Sequence, residues 1–279
     1  MSNIQWFPGH MQKARRQMEE QLKLVDMIIE LRDARIPLSS YNPMLEQLAP
    51  NKERLIVLNK ADCADPIILE EFKSLFISKG QHCIIANSVN DNLTKIIVAE
   101  VKTILKAKLD KAKARGIRKK VLRAMVVGIP NVGKSTFINN IVKKKVAKAE
   151  NRPGVTRALQ WVKLNEDVEL LDTPGVLYPK IENELTGIKL ALLGSINDEI
   201  LDKKMLVNYG ISFLLKEYPG LLNKRYGIDE SAESVFEEIA RARGCLSSGS
   251  LDEKRAIDMI LKDIRNNNLG PISWEKPDA

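Results

Sequence analysis

The chain has 279 residues, 44% hydrophobic and 29% charged, with 44 Lys or Arg against 36 Asp or Glu for a formal net charge of +8. That balance excludes a disordered chain and allows one or two domains with a real core. Three cysteines without a CxxC pair (Cys63, Cys83, Cys245) argue against a disulfide framework or a zinc site, and no apolar run reaches the roughly 18 residues that span a bilayer.

The elements follow in order. WFPGHM (6–11) sets two aromatics and His10, one of two histidines, before the body of a predicted amphipathic helix over 8–24. Pro8 suits its first turn, and Met11, Ala14, Met18, Leu22 and Val25 recur at helical steps. Apolar runs then predict strands: VDMIIELRD (25–33), RLIVLNK (54–60), HCIIANS (82–88), RAMVVG (123–128), ALQWVKL (158–164) and VELLD (168–172). Helical stretches over 66–79, 91–113 and 134–145 separate most of them. The alternation predicts an α/β fold with a mostly parallel sheet covered on both faces. Only NED (165–167) parts the last two runs, so one antiparallel edge strand is expected.

After Pro179 the strand signals stop, and helices are predicted over 182–193, 199–217, 232–243 and 251–266. The last is expected to start with a capping box, Ser250 with Glu253, and to bury Ile257, Ile260, Leu261 and Ile264. Arg255, Lys262 and Arg265 fall off that stripe. The expected division is a first domain over 1–178, a linker over 179–198 and an all-helical domain over 199–279.

GIPNVGKS (128–135) follows a strand and opens a helix, the setting a phosphate-binding loop requires. Gly128 and Gly133 let the backbone curl, so that the N–H groups of Asn131, Val132, Gly133 and the first helical residues, Lys134 to Thr136, face phosphate oxygens. Lys134 reaches β- and γ-phosphates, and Ser135 offers a hydroxyl to Mg²⁺. DTPG (172–175) ends another strand, with Asp172 placed for Mg²⁺ and the Gly175 N–H for the γ-phosphate. RPGVT (152–156) lies between, and Thr156 is a further Mg²⁺ candidate on a switch-like loop. NKAD (59–62) ends RLIVL. Guanine presents two adjacent donors, N1–H and N2, and the Asp62 carboxylate presents two acceptors. A buried Asp62 would go unpaired against adenine, a discrimination that reaches roughly 10⁴–10⁵. The Lys60 stem can cover the base, and Asn59 can tie this loop to the phosphate loop.

These motifs resemble the guanine-nucleotide signature of TRAFAC-class GTPases in an altered order, because NKAD stands 69 residues before Gly128. ANSV (86–89) occupies the slot of the SAx motif, with Asn87 where the family has Ser and Ser88 where it has Ala. WFPGHM, DARIP (33–37), NKAD, GIPNVGKS, PGVT and DTPG together resemble the ribosome biogenesis GTPase A family of circularly permuted GTPases. The resemblance implies a permuted P-loop GTPase domain plus a helical domain that binds RNA or the ribosome. It implies guanine O6 contact by Asn87 and Ser88. Permutation is tolerable because such sites are built from loops at the carboxyl edge of the sheet.

Val176 stands after DTPG, where many GTPases carry the Gln that orients water. His82 opens a predicted strand and reads as structural. His10 sits at a helix start, which disfavours the imidazolium and leaves a hydrogen-bond acceptor. The resemblance implies the same catalytic role for His10. It also makes Asn131 a candidate K⁺ ligand. Residues 102 to 123 hold ten Lys or Arg against Asp110 alone, and 143–157 add six more against Glu150, a pattern that favours a polyanion. The reading is a monomeric cytoplasmic GTPase that assembles the large ribosomal subunit through rRNA and ribosomal proteins, with Mg²⁺ and K⁺ as candidate cofactors and no membrane partner. The alternative is an RNA-binding scaffold that holds GTP as a structural ligand.

Overall fold

The structure is a computed structural model that describes residues 4–5, 16, 18–142, 160–172, 180–181, 183–197, 201–247 and 249–277. WFPGHM with His10, the basic run 143–157 with Thr156, and Thr173 to Pro179 with Gly175 and Val176 lie outside them.

A six-stranded sheet forms the centre. Its strands are β2 (Met27–Asp33), β3 (Glu53–Asn59), β4 (His82–Ala86), β5 (Leu122–Gly128), β6 (Gln160–Lys163) and β7 (Val168–Asp172), in the order β4-β3-β2-β5-β7-β6. All neighbours are parallel except β6 with β7. The expected parallel sheet with one antiparallel edge is therefore present. Strand β2 is buried along its whole length, as a strand covered on both faces must be.

Alternate residues supply the two faces. Met27, Ile29 and Leu31 join Leu55, Val57, Ala124 and Val126 in the main core with helices α4 (Leu93–Ile104) and α6 (Lys134–Val142). Ile28, Met125, Val127 and Leu171 face the other way onto Met18 and Leu22 of α1 (18–22) and onto Met44 and Leu45 of α2 (Met44–Leu48). Ile56, Leu58 and Cys83 take Phe72 and Phe76 of α3 (Pro66–Ser78), whose N-cap Asp65 accepts from Ile67 N and Ile68 N. The single helix expected over 91–113 is two. α4 ends at Leu105, which dips into the core at 4% exposure, and the Lys-rich α5 (Lys106–Ala114) restarts along the surface.

The second half is helical: α7 (Glu184–Leu192), α8 (Lys203–Glu217), α9 (Leu221–Tyr226), α10 (Val235–Ala242) and α11 (Glu253–Arg265). Its apolar side chains, among them Leu192, Ile211, Ile260 and Trp274, continue the main core of the sheet half without a break. The structure corrects several sequence expectations here. The span assigned to a linker contains α7, whose Leu190, Ala191 and Leu192 are buried. Strands do not stop at Pro179: β8 (Lys180–Ile181) pairs antiparallel with β1 (Ile4–Gln5), and β9 (Leu246–Ser247) pairs with β10 (Ser250–Leu251). Ser250 is thereby committed to a hairpin, and its hydroxyl donates to Ser247 O. Asp252 caps α11 instead, accepting from Arg255 N at 3.0 Å. Arg265 does not point away from the packing. Its guanidinium donates to Leu192 O at 3.0 Å and Ala191 O at 2.8 Å, a cation on the carbonyl end of α7.

Candidate functional site

Strands β2, β3, β5 and β7 end at one edge of the sheet, and every described motif lies on the loops that leave that edge. Gly128 closes β5, and the chain turns through Asn131 (φ +59°) and Gly133 (φ +92°) before Lys134 opens α6. A Cβ on Gly133 would stand 2.5 Å from Asn59 Nδ2 on a backbone that favours glycine. Gly133→Ala is therefore expected to cost about 1–3 kcal/mol of stability and to weaken nucleotide binding, read by thermal unfolding and nucleotide titration.

Asn59 explains that close approach. At the end of β3, it donates from Nδ2 to Val132 O at 2.8 Å, joining NKAD to the phosphate loop across 73 positions. Its Oδ1 accepts from Ser88 N at 3.3 Å and from the Ser88 hydroxyl. One side chain thus unites three motifs, and Asn59 and Ser88 are both buried. Asn87 does something else. Its Oδ1 accepts from Val89 N and Asn90 N, and its own N–H donates to Asp91, so it builds the turn that presents Ser88.

Lys60 takes left-handed backbone (φ +62°), and its ammonium donates to Asn131 O at 2.6 Å and to Asp33 Oδ2 at 2.8 Å. Its aliphatic stem is held across the site floor. Burial pushes its pKa down, and the Asp33 carboxylate opposes that shift. Asp33 is fully buried at the end of β2 and also accepts twice from the Arg35 guanidinium, at 2.9 and 2.8 Å. Burial alone would raise the Asp33 carboxyl, but Arg35 and Lys60 outweigh it and hold it well below the usual carboxylate range. DARIP was legible as part of a family pattern. Its role as the counter-ion of the base loop was not, because Lys60 lies 27 positions away.

Asp62 sits on a short 3-10 turn, Ala61–Cys63, and is exposed rather than buried as expected. The turn carries it beyond the strand end, so its carboxylate is open to whatever docks at this edge. On the phosphate side, the buried Lys134 ammonium donates to the buried Asp172 carboxylate at the end of β7. Burial pushes the Lys134 pKa down, and Asp172 opposes it. Ser135 and Thr136 follow in the first turn of α6, half-buried. Asn131 Nδ2 donates to Gly194 O at 2.6 Å, a contact between the phosphate loop and the helical half that the sequence did not suggest. His82 is exposed on the outer strand β4, on the far side of β3 from the phosphate loop. Among the described residues, the structure brings together Asn59, Lys60, Asp62, Ser88, Asn131, Val132, Gly133, Lys134, Ser135, Thr136 and Asp172. Asp33 and Arg35 join them as unpredicted supports.

A family model described as 50S ribosome-binding GTPase matches residues 123–267. The chain is 48% identical over 279 residues to Ribosome biogenesis GTPase A of Bacillus licheniformis, covering 99% of each chain. It is 46% identical to the protein of the same name from Bacillus pumilus, again covering 99% of each. The crystal structure of GNP-bound YlqF from T. maritima superposes with a TM-score of 0.66 at 30% identity, covering 95% of this chain and 99% of that one.

Proposed function

The chain belongs to the ribosome biogenesis GTPase A family and is a GTPase of ribosome assembly, and from that premise we propose that it docks on the precursor of the large ribosomal subunit in its GTP state, through rRNA and ribosomal proteins, and leaves on hydrolysis. Asn59 carries this reading, because its hydrogen bonds to Val132 and Ser88 make one site out of motifs in permuted order. Asp62 accepts from guanine N1–H and N2, and the Lys60 stem lies under the base. Ser88, on the turn Asn87 builds, faces the O6 side. The backbone from Asn131 to Thr136 receives the phosphates, with Gly175 at the γ-phosphate.

The donor set suits Mg²⁺. Asp172 is a buried carboxylate that already holds a cation, the Lys134 ammonium, and the Ser135 hydroxyl lies one residue on. Ser135 and Asp172, with Thr156, would hold the ion, which neutralises charge on the β- and γ-phosphate oxygens. Lys134 then exchanges Asp172 for phosphate, and its depressed pKa reflects the burial that strengthens that contact. Asn131 would offer its Oδ1 to K⁺, its Nδ2 being held on Gly194 O. His10 orients the attacking water in place of the side chain that Val176 lacks. Support comes from the pairing of β1 with β8: it sets Gln5, five residues before His10, beside Lys180, five residues after Gly175.

The rRNA contact rests on charge. Along α5 and beyond, Lys106, Lys111, Lys113, Arg115 and Arg118 are exposed. Lys102, Lys108 and Lys119 are drawn instead to Asp167, Asp26 and Glu166. Among the described residues no helix is long and apolar enough to cross a membrane. The factor acts as a monomer in the cytoplasm.

Turnover titrated with purified large subunits at two salt concentrations tests the proposal. GTPase activity is expected to rise with particles and to lose that rise at the higher salt, because phosphate contacts are counterion-linked. His10→Ala is expected to cut the stimulated rate by roughly 10²-fold or more while GTP affinity barely changes. Turnover indifferent to particles would contradict the proposed docking on the large subunit.

A further inference from the structure

Beyond α11 the chain does not trail off but returns to the nucleotide edge. Asn267, in left-handed backbone (φ +59°), donates from Nδ2 to the carbonyl of Asp62 itself at 3.3 Å. Ile272 N donates to Cys63 O at 3.0 Å, and the Ser273 hydroxyl accepts from Asp65 N at 3.2 Å. Trp274 N donates to Arg35 O at 2.8 Å. The Glu275 carboxylate accepts from Leu38 N at 2.7 Å, from Ser39 N and from the Ser39 hydroxyl, with the Lys189 ammonium at 3.3 Å. These contacts grip the loop that carries Asp62 at the backbone of Asp62, Cys63 and Asp65, and they grip the loop after Asp33 as well.

The strap has a firm base. Trp274 is 2% exposed and stacks on Phe213 of α8 with ring centroids 4.9 Å apart. The Tyr218 hydroxyl accepts from Ser273 N at 3.0 Å. The helical half therefore fixes the strap, and the strap fixes the turn on which exposed Asp62 stands.

We propose that Asn267 and the segment Ile272–Glu275 position Asp62 for guanine, making the C-terminal strap a determinant of base selectivity. The inference rests on the reading of Asp62 as the guanine acceptor. A 3-10 turn of three residues has little stiffness of its own, and a carboxylate that must meet two donors at once is sensitive to small displacements. Asn267 and Ser273 are positioning residues, since they act through the Asp62 loop.

The test uses the full chain and two nucleotides. Inosine diphosphate lacks the N2 amine, so the ratio of GDP to IDP affinity reports how well the Asp62 carboxylate is placed. Asn267→Gly removes the amide while suiting the left-handed backbone, and Ser273→Ala removes one acceptor. Each is measured alone and in an Asp62→Ala background, with thermal unfolding confirming the fold. Each single variant is expected to lower the GDP/IDP ratio about two- to tenfold, the range of one hydrogen bond, and to have no further effect once Asp62 is Ala. If Asp62→Ala collapses the ratio while both strap variants leave it unchanged, or lower GDP and IDP affinity equally, the inference is overturned. If Asp62→Ala itself leaves the ratio unchanged, the guanine reading beneath it fails instead.

Discussion

Replacing Asp33 by Ala is expected to lower the stability of the fold by about 3–5 kcal/mol, the cost of leaving a buried charge without its partner. Asp33 is fully buried and serves two cations, Arg35 at 2.8 Å and Lys60 at 2.8 Å. Arg35 is itself buried and cannot shed its proton. Lys60 can, and its already lowered pKa would fall further, which softens part of the loss. The same change leaves Lys60 with Asn131 O but without its counter-ion, loosening its hold on the site floor, so nucleotide affinity falls with stability. A pH dependence follows. The folded-state pKa of Asp33 lies below its unfolded value of about 3.9, so its contribution is present in full above that value and is lost as the pH falls through the folded pKa. Guanidinium unfolding of both proteins at neutral pH and near pH 3 measures this. The gap between them should be wide at neutral pH and should narrow in acid. A gap below about 1 kcal/mol at neutral pH would remove Asp33 from the role of counter-ion.

The parts of the molecule that sequence exposed are those governed by short-range rules. Strands β2, β3 and β5 are apolar nearly throughout because parallel strands are covered twice, and their bounds fell within a few residues of the apolar runs. GIPNVGKS carries its own geometry, since Gly133 meets a backbone and a neighbour that admit no Cβ. The NED turn betrayed the antiparallel edge. What stayed hidden depends on partners distant in the chain. Nothing near Asp33 announces Lys60, and nothing near Glu275 announces Ser39, 236 positions earlier. The pairing of β1 with β8 spans two residues on each side, too few for any periodicity. Ser250 and Asp252 are both good caps, and only the hairpin that claims Ser250 decides between them. Helix α7 falls in the span expected to be a linker, although 182–193 has a helical pattern, because the strand signals end at Pro179 just before it. Its buried Leu190 and Leu192 show that the two halves share one core.

The base-recognition loop concentrates the account. Guanine offers two donors to the Asp62 carboxylate, whereas xanthine offers the N1–H donor beside a carbonyl acceptor. Asp62→Asn turns one of the two acceptors into a donor and so fits xanthine and misfits guanine. The turn that carries the residue should keep its shape, since Asn267 bonds the Asp62 backbone carbonyl, and the exposed side chain meets only a weak 3.7 Å donation from the neighbouring Cys63 thiol. Sites built on matched hydrogen bonds reject an unmatched partner by roughly 10⁴-fold or more, so the expected change is several decades in the ratio of two affinities. The decisive measurement is equilibrium binding of GDP and XDP to the wild-type chain and to Asp62→Asn. The wild type should prefer GDP and the variant XDP, with the fold intact in both. A variant that keeps the wild-type preference for GDP would contradict the claim that the permuted motifs assemble a guanine site around Asn59, Lys60 and Asp62.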